Sequence, residues 1–411
     1  MALLVSGKGN DVLAWRASGE FAGEFRQTLL ARLEFCRADA AGILLDDTGR
    51  AITGLVAAND AFLRCCQDTC AMACAAREPA SLADLTRTFY TGLYDHFRTH
   101  GSAAAFYEQS IQFLQSAGTA VIRHARERSG MTAARDLPVM LIALGPAGRR
   151  EFSPYCPLHL LLVHDEAQVP EHDLLDRFGG LIHDGFEACG FRVDSTVTVR
   201  SHAWRGSMAE WRQHLAQSVE QGRIQDLIDF FRLADQTVVY ADNGFDPDFP
   251  GLCRSVLGSR RSVLSFQVGR VLELSHGIGM MGGMRFEKKG PYRGKFALLD
   301  NALQPLAAAV SALSQMKGLL TDSTPRRIRE VLWKRELNVD MAERLLLAWH
   351  SLHEMRLGRE ADLHPEWTGP SPLYLCVEEM SDTEQALLRE SLESVGAAQR
   401  LIGQLYSSME E

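Results

Sequence analysis

The stretch from Leu141 to Val163 reads Leu-Ile-Ala-Leu-Gly-Pro-Ala-Gly-Arg-Arg-Glu-Phe-Ser-Pro-Tyr-Cys-Pro-Leu-His-Leu-Leu-Leu-Val, and it decides the fold. Its two apolar runs, which cover 139–144 and 158–163, have the length of buried strands. Gly145 and Gly148 stand between the runs, where glycine lets the backbone turn tightly and approach a ligand. The stretch therefore predicts a strand, a glycine turn with a basic residue pair, and a second, neighbouring strand.

The sequence on either side of this stretch predicts an α+β fold. Helical and strand-like patterns alternate in the middle of the chain, with helices at 104–128 and 171–189 and strands near 138–144, 157–163 and 191–199. From about residue 250 onward the pattern is helical, with breaks at 277–294 and 365–372, and the last helix opens with Ser381 and Glu384 as a capping box. We expect a mostly helical chain with a small mixed sheet, flanked by N-terminal helices and a C-terminal helical bundle.

We predict three domains, namely an N-terminal helical region over 1–103, a sheet-containing domain over 104–245 and a C-terminal helical bundle over 246–411. In the first region, apolar residues recur at helical spacing at Phe25, Leu29, Leu33 and Cys36, and a turn is predicted at 46–49. No function follows from the residues of this first region.

Composition limits the classes of function. The chain has 411 residues, of which 46% are apolar and 23% charged, as in an ordinary globular protein. Its 43 basic and 52 acidic residues give a net charge of −9 without a long basic run, so we do not expect a nucleic-acid partner. Nothing reads as a signal peptide or as a run of about 18 apolar residues, which predicts a cytoplasmic protein that does not bind membranes.

The glycine turn resembles the nucleotidyltransferases of the DNA polymerase β superfamily, whose pattern is Gly-Ser, a short helix and then Asp-x-Asp on the next strand. It is most similar to a bacterial family of nucleotidyltransferase-like proteins that is often fused to CBS domains and is related to protein-PII uridylyltransferase. That family reads Gly-Ser-x-Gly-Arg-x-Glu followed by Thr-Asp-x-Asp. Gly145, Gly148, Arg149 and Glu151 fall on the matching positions. The resemblance implies a nucleotidyltransferase-like domain in which Gly145, Gly148 and Arg149 contact a nucleotide.

Weaker similarity continues toward the C-terminus and covers roughly residues 100 to 411. The residues that carry it are Trp204 and Trp211, Arg232, Thr324 and Arg327, and Gln399 in the closing helix. The spacing of the two tryptophans predicts that both indoles share one face of a helix, where they either line a nucleobase pocket or pack in the core.

Three positions in the glycine turn and at the start of the next strand depart from the family pattern, as do Phe230, Ala297 and Leu299 farther along the chain, where the family has charged residues. Pro146 replaces the serine, and Pro157 and His159 occupy the positions of the two metal-binding aspartates. The family reaction requires those carboxylates, because two magnesium ions bridge the nucleoside triphosphate and the attacking hydroxyl. Proline offers no ligand, and a lone imidazole suits zinc or copper better than magnesium. We therefore assign no metal ligands.

Two retained residues have alternative interpretations. Asp194, predicted to lie on the strand at 191–199, is either a surviving catalytic carboxylate beside the family's metal site or an exposed residue at a strand end. Arg149 either grips a phosphate or pairs with a carboxylate such as Glu151 to hold the turn. The catalytic candidates are thus Asp194 and His159, the latter only because it stands at a family aspartate position.

Several family positions that carry charged or polar residues are occupied by other residues in this chain. We therefore predict a catalytically degenerate nucleotidyltransferase-fold protein, which is a pseudoenzyme that acts in regulation or signal transduction through a nucleotide or a protein partner. The alternative is an active metal-dependent nucleotidyltransferase, which would use Mg²⁺ and a nucleoside triphosphate, modify a protein acceptor and rely on Asp194 with Asp165 or another rearranged carboxylate. The sequence leaves the acceptor, the nucleobase and the oligomeric state open.

Overall fold

The apolar run Val-Met-Leu-Ile-Ala-Leu forms strand β1, Val139–Leu144, and all six of its residues are buried. Strand β2, His159–His164, pairs with it antiparallel, so that Leu144 lies opposite His159 and Val139 opposite His164. A strand that is covered on both faces needs apolar side chains on both, which is why β1 shows no polar alternation. The two strands predicted from the opening stretch are confirmed.

The computed structural model describes residues 59–130, 137–166, 172–222, 228, 232–257, 261–279, 282–319, 322–363 and 373–408. The amphipathic segment predicted around Phe25 to Cys36, the turn at 46–49 and the predicted break at 365–372 lie outside these residues.

Two further strands complete a mixed sheet with the order β3-β2-β1-β4. Strand β3, Arg205–Ser207, runs parallel to β2, and strand β4, Gln236–Ala241, runs antiparallel to β1. Neither strand was predicted from the sequence. The prediction of a small mixed sheet in a mostly helical α+β chain is confirmed.

Helices cover both faces of this sheet. They are α1, Pro79–His100; α2, Ala103–Ser129; the short α3, Gly145–Gly148; α4, His172–Ala188; α5, Met208–Gln221; and α6, Phe249–Leu257. Leu141 and Leu160 point to the face that packs on α2 and α4, whereas Ile142 and Leu161 point to the opposite face, against Trp211 and Phe249. The sheet therefore holds β2 between two separate apolar clusters.

The C-terminal part is helical, as predicted, apart from a two-stranded sheet. Its elements are α7, Arg261–Glu273; β5, Phe296–Ala297; a π-helix, Leu299–Leu303; α8, Gln304–Met316; α9, Thr324–Trp333; α10, Val339–Leu363; β6, Tyr374–Leu375; and α11, Asp382–Ser408. The predicted capping box is present, because Glu384 accepts from the backbone of Ser381 at 2.8 Å and donates its own N–H to the Ser381 hydroxyl at 3.3 Å.

Two predictions about local structure are wrong. Residues 191–199 form no regular strand; Val193 makes a single parallel bridge to Leu158. Trp204 and Trp211 do not share a helix, since Trp204 ends a 3₁₀ turn before β3 and Trp211 lies in α5. Their rings still approach to 6.4 Å between centroids, and both are buried, as the core interpretation requires.

Candidate functional site

The glycine turn is built by close backbone packing. Gly145 follows β1 with φ +62°, a conformation that favours glycine. Gly148 lies so close to the segment before β4 that a Cβ atom on it would stand 2.1 Å from the carbonyl oxygen of Asp235. The hydroxyl of Thr237 donates to the Gly148 carbonyl at 2.9 Å. Contacts within the protein therefore account for Gly148 without a ligand.

His159 and Asp194 converge beside this turn. Nε2 of His159 lies 3.4 Å from a carboxylate oxygen of Asp194. On its other side, Nδ1 of His159 would lie 2.9 Å from a Cβ atom on Gly145, so the ring packs directly on the glycine backbone. Only 12% of the His159 side chain is exposed, and no group in the described part of the chain bonds to its Nδ1. The imidazole thus fills the gap between the turn and Asp194, and we call these three residues the glycine corner.

The charge state of the glycine corner follows from its surroundings. Burial lowers the pKa of His159, and the cation of Arg232 adds to this effect while Asp194 opposes it. A neutral imidazole at pH 7 results. Burial opposes ionisation of Asp194, but hydrogen bonds from the Thr196 hydroxyl and from two backbone N–H groups outweigh it and hold the pKa of Asp194 at about 2.

Asp194 lies in a turn and not on a strand, which corrects its predicted setting. One carboxylate oxygen accepts from the Thr196 N–H at 2.8 Å, the Thr196 hydroxyl at 2.6 Å and the Val197 N–H at 2.8 Å. A short side chain that binds the backbone two and three residues ahead competes with strand pairing. The other oxygen faces His159. Most of the bonding capacity of this carboxylate is therefore used within the protein.

Arg149 is held between two carboxylates. Its Nε donates to Glu151 at 2.9 Å and its Nη1 to Asp235 at 2.6 Å. Burial alone lowers the pKa of Arg149, but the adjacent charges of Glu151 and Asp235 raise it above the usual range. The sequence left two interpretations open for Arg149, binding of a phosphate and pairing with a carboxylate. In the structure Arg149 pairs with Glu151.

The same two carboxylates bind residues of the C-terminal helices. Thr324 Oγ1 donates to Glu151 at 2.5 Å, and the Trp349 indole N–H donates to the same oxygen at 2.8 Å. Arg327, which is 2% exposed, donates to Asp235 at 2.5 Å. We call Arg149, Glu151, Asp235 and Arg327 the buried ion cluster; its two cations and two anions balance.

The sequence identifies Arg149, Glu151, Thr324 and Arg327 as matches to the family pattern, but nothing in their spacing connects the last two with the glycine turn. It assigns no role to Asp235 or Trp349. Gln399, also familial, caps the end of α7 by donating to the carbonyls of Val271 and Leu274 at 2.8 and 3.0 Å. Arg356 and Glu360 form another buried ion pair on α10, but an Arg and a Glu four residues apart are typical of an exposed helix face, so the sequence carried no signal of buried charge.

Other candidate ligands lie away from the glycine corner. Asp165 follows the far end of β2, and the strand that separates it from His159 spans about 17 Å. Within the described ranges, the one group of three potential metal ligands whose atoms lie within 4.8 Å of one another is His183, Asp184 and Glu187 on α4. Asp184 of that group already pairs with Arg200. A cleft of about 360 Å³ at the far end of β2 is bordered by Trp211 and by residues 164–166.

The mixed sheet, with the glycine turn between its two central strands, is followed by C-terminal helices, which is the order of elements that the sequence resemblance implies. Known families match both of these parts. Residues 91–225 match the family "Putative nucleotidyltransferase DUF294", and residues 261–406 match "Putative nucleotidyltransferase substrate binding domain". The chain therefore carries a DUF294 nucleotidyltransferase-like domain followed by the corresponding substrate binding domain.

A search of curated proteins finds no match to the chain. In the portion that the structure describes, no helix combines the length and the apolar character that crossing a membrane requires. The division into three domains, with boundaries at 103/104 and 245/246, stays a prediction.

Proposed function

We propose that this chain is a catalytically degenerate nucleotidyltransferase-fold protein that acts by binding, in regulation or signal transduction. The observation that carries the proposal is the position of His159. Its ring packs on Gly145 and reaches Asp194, so it occupies the region where the family would place metal ions and phosphates. A neutral imidazole cannot replace a carboxylate as a ligand to magnesium.

The retained motif residues support the same proposal. Arg149 is neutralised by Glu151 and Asp235, so its charge is not available to a triphosphate unless an ion pair breaks. Pro146 also deprives the turn of one backbone N–H that would otherwise point toward phosphate oxygens. The match to a substrate binding domain suggests that the chain still has a ligand.

The decisive measurement is nucleotidyl transfer. The purified chain is incubated with labelled UTP, ATP, CTP or GTP, with Mg²⁺ or Mn²⁺, in the presence of a PII-type protein and of a bacterial extract as acceptors. We expect no label on any protein or small molecule. Label that depends on the divalent metal overturns the proposal, and loss of that label in Asp194→Ala assigns the activity to this site.

The active alternative requires a second carboxylate near Asp194. Asp165, its proposed partner, follows the far end of β2, a strand of about 17 Å that begins at His159, and its backbone N–H is bonded to the Pro138 carbonyl at that far end. One carboxylate cannot hold two magnesium ions. Asp194→Ala and Asp165→Ala should therefore leave transfer at the same background as the unmodified chain.

Thermal stabilisation by nucleotides tests whether the chain binds a nucleotide although it does not transfer one. A shift in the melting temperature with a nucleotide alone, and no transfer, identifies a nucleotide-binding regulator. Absence of a shift with all four nucleotides directs the search toward a protein partner. Either result is consistent with a degenerate site, so the transfer assay alone decides the proposal.

A further inference from the structure

Three consecutive residues at the end of the glycine turn are connected with the C-terminal helices or with the loop before α9, Arg149 through Asp235 and the other two directly. Arg149 shares the Asp235 carboxylate with Arg327 of α9. Arg150 bridges Glu108 of α2, at 2.9 Å, and Asp322, at 3.4 Å. The Glu151 carboxylate accepts hydrogen bonds from the Thr324 hydroxyl of α9 and from the Trp349 indole N–H of α10.

The backbone at the centre of this segment is strained. Arg150 has φ +60°, which is unfavourable for a residue with a side chain. Such a conformation persists where the surroundings fix the residue on several sides. Here Arg149 and Glu151 are anchored on either side of Arg150, and the Glu151 N–H is bonded to the Pro146 carbonyl at 2.8 Å. The turn is therefore shaped by its anchors, of which Asp322, Thr324 and Trp349 belong to the C-terminal part.

The charges of the buried ion cluster come from both parts of the chain. Arg149, Glu151 and Asp235 precede α6, whereas Arg327 lies in α9. The exposed fractions of the Glu151, Asp235 and Arg327 side chains are 3%, 8% and 2%. Separating the two parts would leave a buried carboxylate with half of its cations, and unpaired buried charge is strongly unfavourable.

We infer that residues 149–151 serve as an interdomain latch: the C-terminal helices complete the charge balance of the glycine turn, so the two matched domains unfold as one cooperative unit. In this role Arg149 and Glu151 position the turn and bind no substrate. The latch does not depend on whether transfer is lost, because its contacts are internal to the chain.

Hydrogen exchange of the full chain, followed by mass spectrometry, tests this inference. In the unmodified protein, the slowest amides of β1 and β2 and those of α9 and α10 should report the same opening equilibrium. Arg327→Met should uncouple them, with exchange in α9 and α10 accelerated by about 100-fold or more and exchange in β1 and β2 changed much less. Arg326→Met, on the same helix but exposed, is the matched control and should leave both rates nearly unchanged.

A second control separates the latch from general destabilisation. Leu215→Ala removes a fully buried side chain of the sheet domain without touching the cluster, and it should accelerate both regions in step. The inference fails if the two regions already differ in the unmodified protein, or if Arg327→Met behaves like Leu215→Ala. Should Arg327→Met not fold, Thr324→Val removes one hydrogen bond to Glu151 and should give the same divergence at smaller amplitude.

Discussion

The glycine corner and the buried ion cluster share one short motif, in which Gly145 and His159 of the corner flank Arg149 and Glu151 of the cluster, and the two regions differ in how they match the family pattern. At the corner, Pro157 and His159 stand where the resemblance would place two aspartates, and the imidazole of His159 packs on Gly145. In the cluster, Arg149 and Glu151 are kept and fully paired. A residue that matches a family motif is therefore no proof of the family's activity, because packing and charge balance can require the same residue.

The largest effect should come from the same chemical change made in both regions. Glu151→Gln replaces a buried carboxylate with a neutral amide and removes one of the two charged partners of Arg149. We therefore expect a loss of about 3–5 kcal/mol in the free energy of unfolding. Asp194→Asn changes a side chain that is about a quarter exposed and keeps an oxygen that can accept from the Thr196 and Val197 N–H groups. We expect that variant to lose about 1 kcal/mol. Urea unfolding at pH 7 measures both.

The same two variants should respond differently to acid. Burial raises the pKa of Glu151, but Arg149 and further partners outweigh it and hold the pKa at about 2, below its ordinary value of 4.5. The folded-state pKa is thus depressed, so this stabilisation is complete above pH 4.5 and is lost as the pH falls toward 2. Glu151→Gln should remove that part of the acid sensitivity. Asp194→Asn should retain it and lose only the contribution of Asp194 itself, whose pKa is also about 2 but whose side chain is more exposed and therefore more screened. A Glu151→Gln variant that loses as much stability between pH 5 and pH 2 as the unmodified chain would contradict the comparison.

A smaller effect is expected from adding one methyl group to a glycine. In Gly148→Ala the new Cβ would collide with the backbone of Asp235 at 2.1 Å, and backbone cannot rotate away, so we expect a loss of about 3 kcal/mol. Gly180→Ala, inside α4 with no atom within 4 Å of the new Cβ, should gain up to about 1 kcal/mol through helix propensity. Melting temperatures of the two variants should move in opposite directions.

Gly148→Ala also probes the link between the cluster and the corner. If close packing is the only requirement at residue 148, the variant loses stability while its response to nucleotides stays that of the unmodified chain. A variant that kept full stability and lost a nucleotide-induced shift would show that Gly148 belongs to a binding site.

Much of the fold could be predicted because its strongest elements have local causes. The six-residue apolar run of β1 and the helical periodicity of α2 and α4 are visible in the sequence alone. β3 has three residues and no pattern of its own, so only its pairing with β2 defines it. Residues 191–199 alternate like a strand, but the side chain of Asp194 binds the backbone ahead of it and forms a turn instead.

The site was less predictable for a different reason. The partners of Arg149 and Glu151 lie far along the chain, with Asp235 at a separation of 86 residues and Trp349 at a separation of 198 from Glu151. Motif spacing carries no information at that range. It identified the glycine turn correctly and left the use of its charges undecided between a phosphate and a carboxylate.

The smallest expected effect is a gain of function at the corner. Pro157→Asp combined with His159→Asp returns two carboxylates to one side of β2 next to Asp194, where positions two apart on a strand share a face. We expect this double variant to bind one Mn²⁺ with a dissociation constant of about 0.1–1 mM, typical of a weak all-oxygen site, measured by the loss of the free-ion signal in electron paramagnetic resonance.

The unmodified chain should bind none at the corner, and adding Asp194→Asn to the double variant should weaken its binding. If the unmodified chain binds Mn²⁺ as well as the double variant does, and Asp194→Asn abolishes that binding, the corner has kept its metal chemistry and the contrast between the two regions disappears.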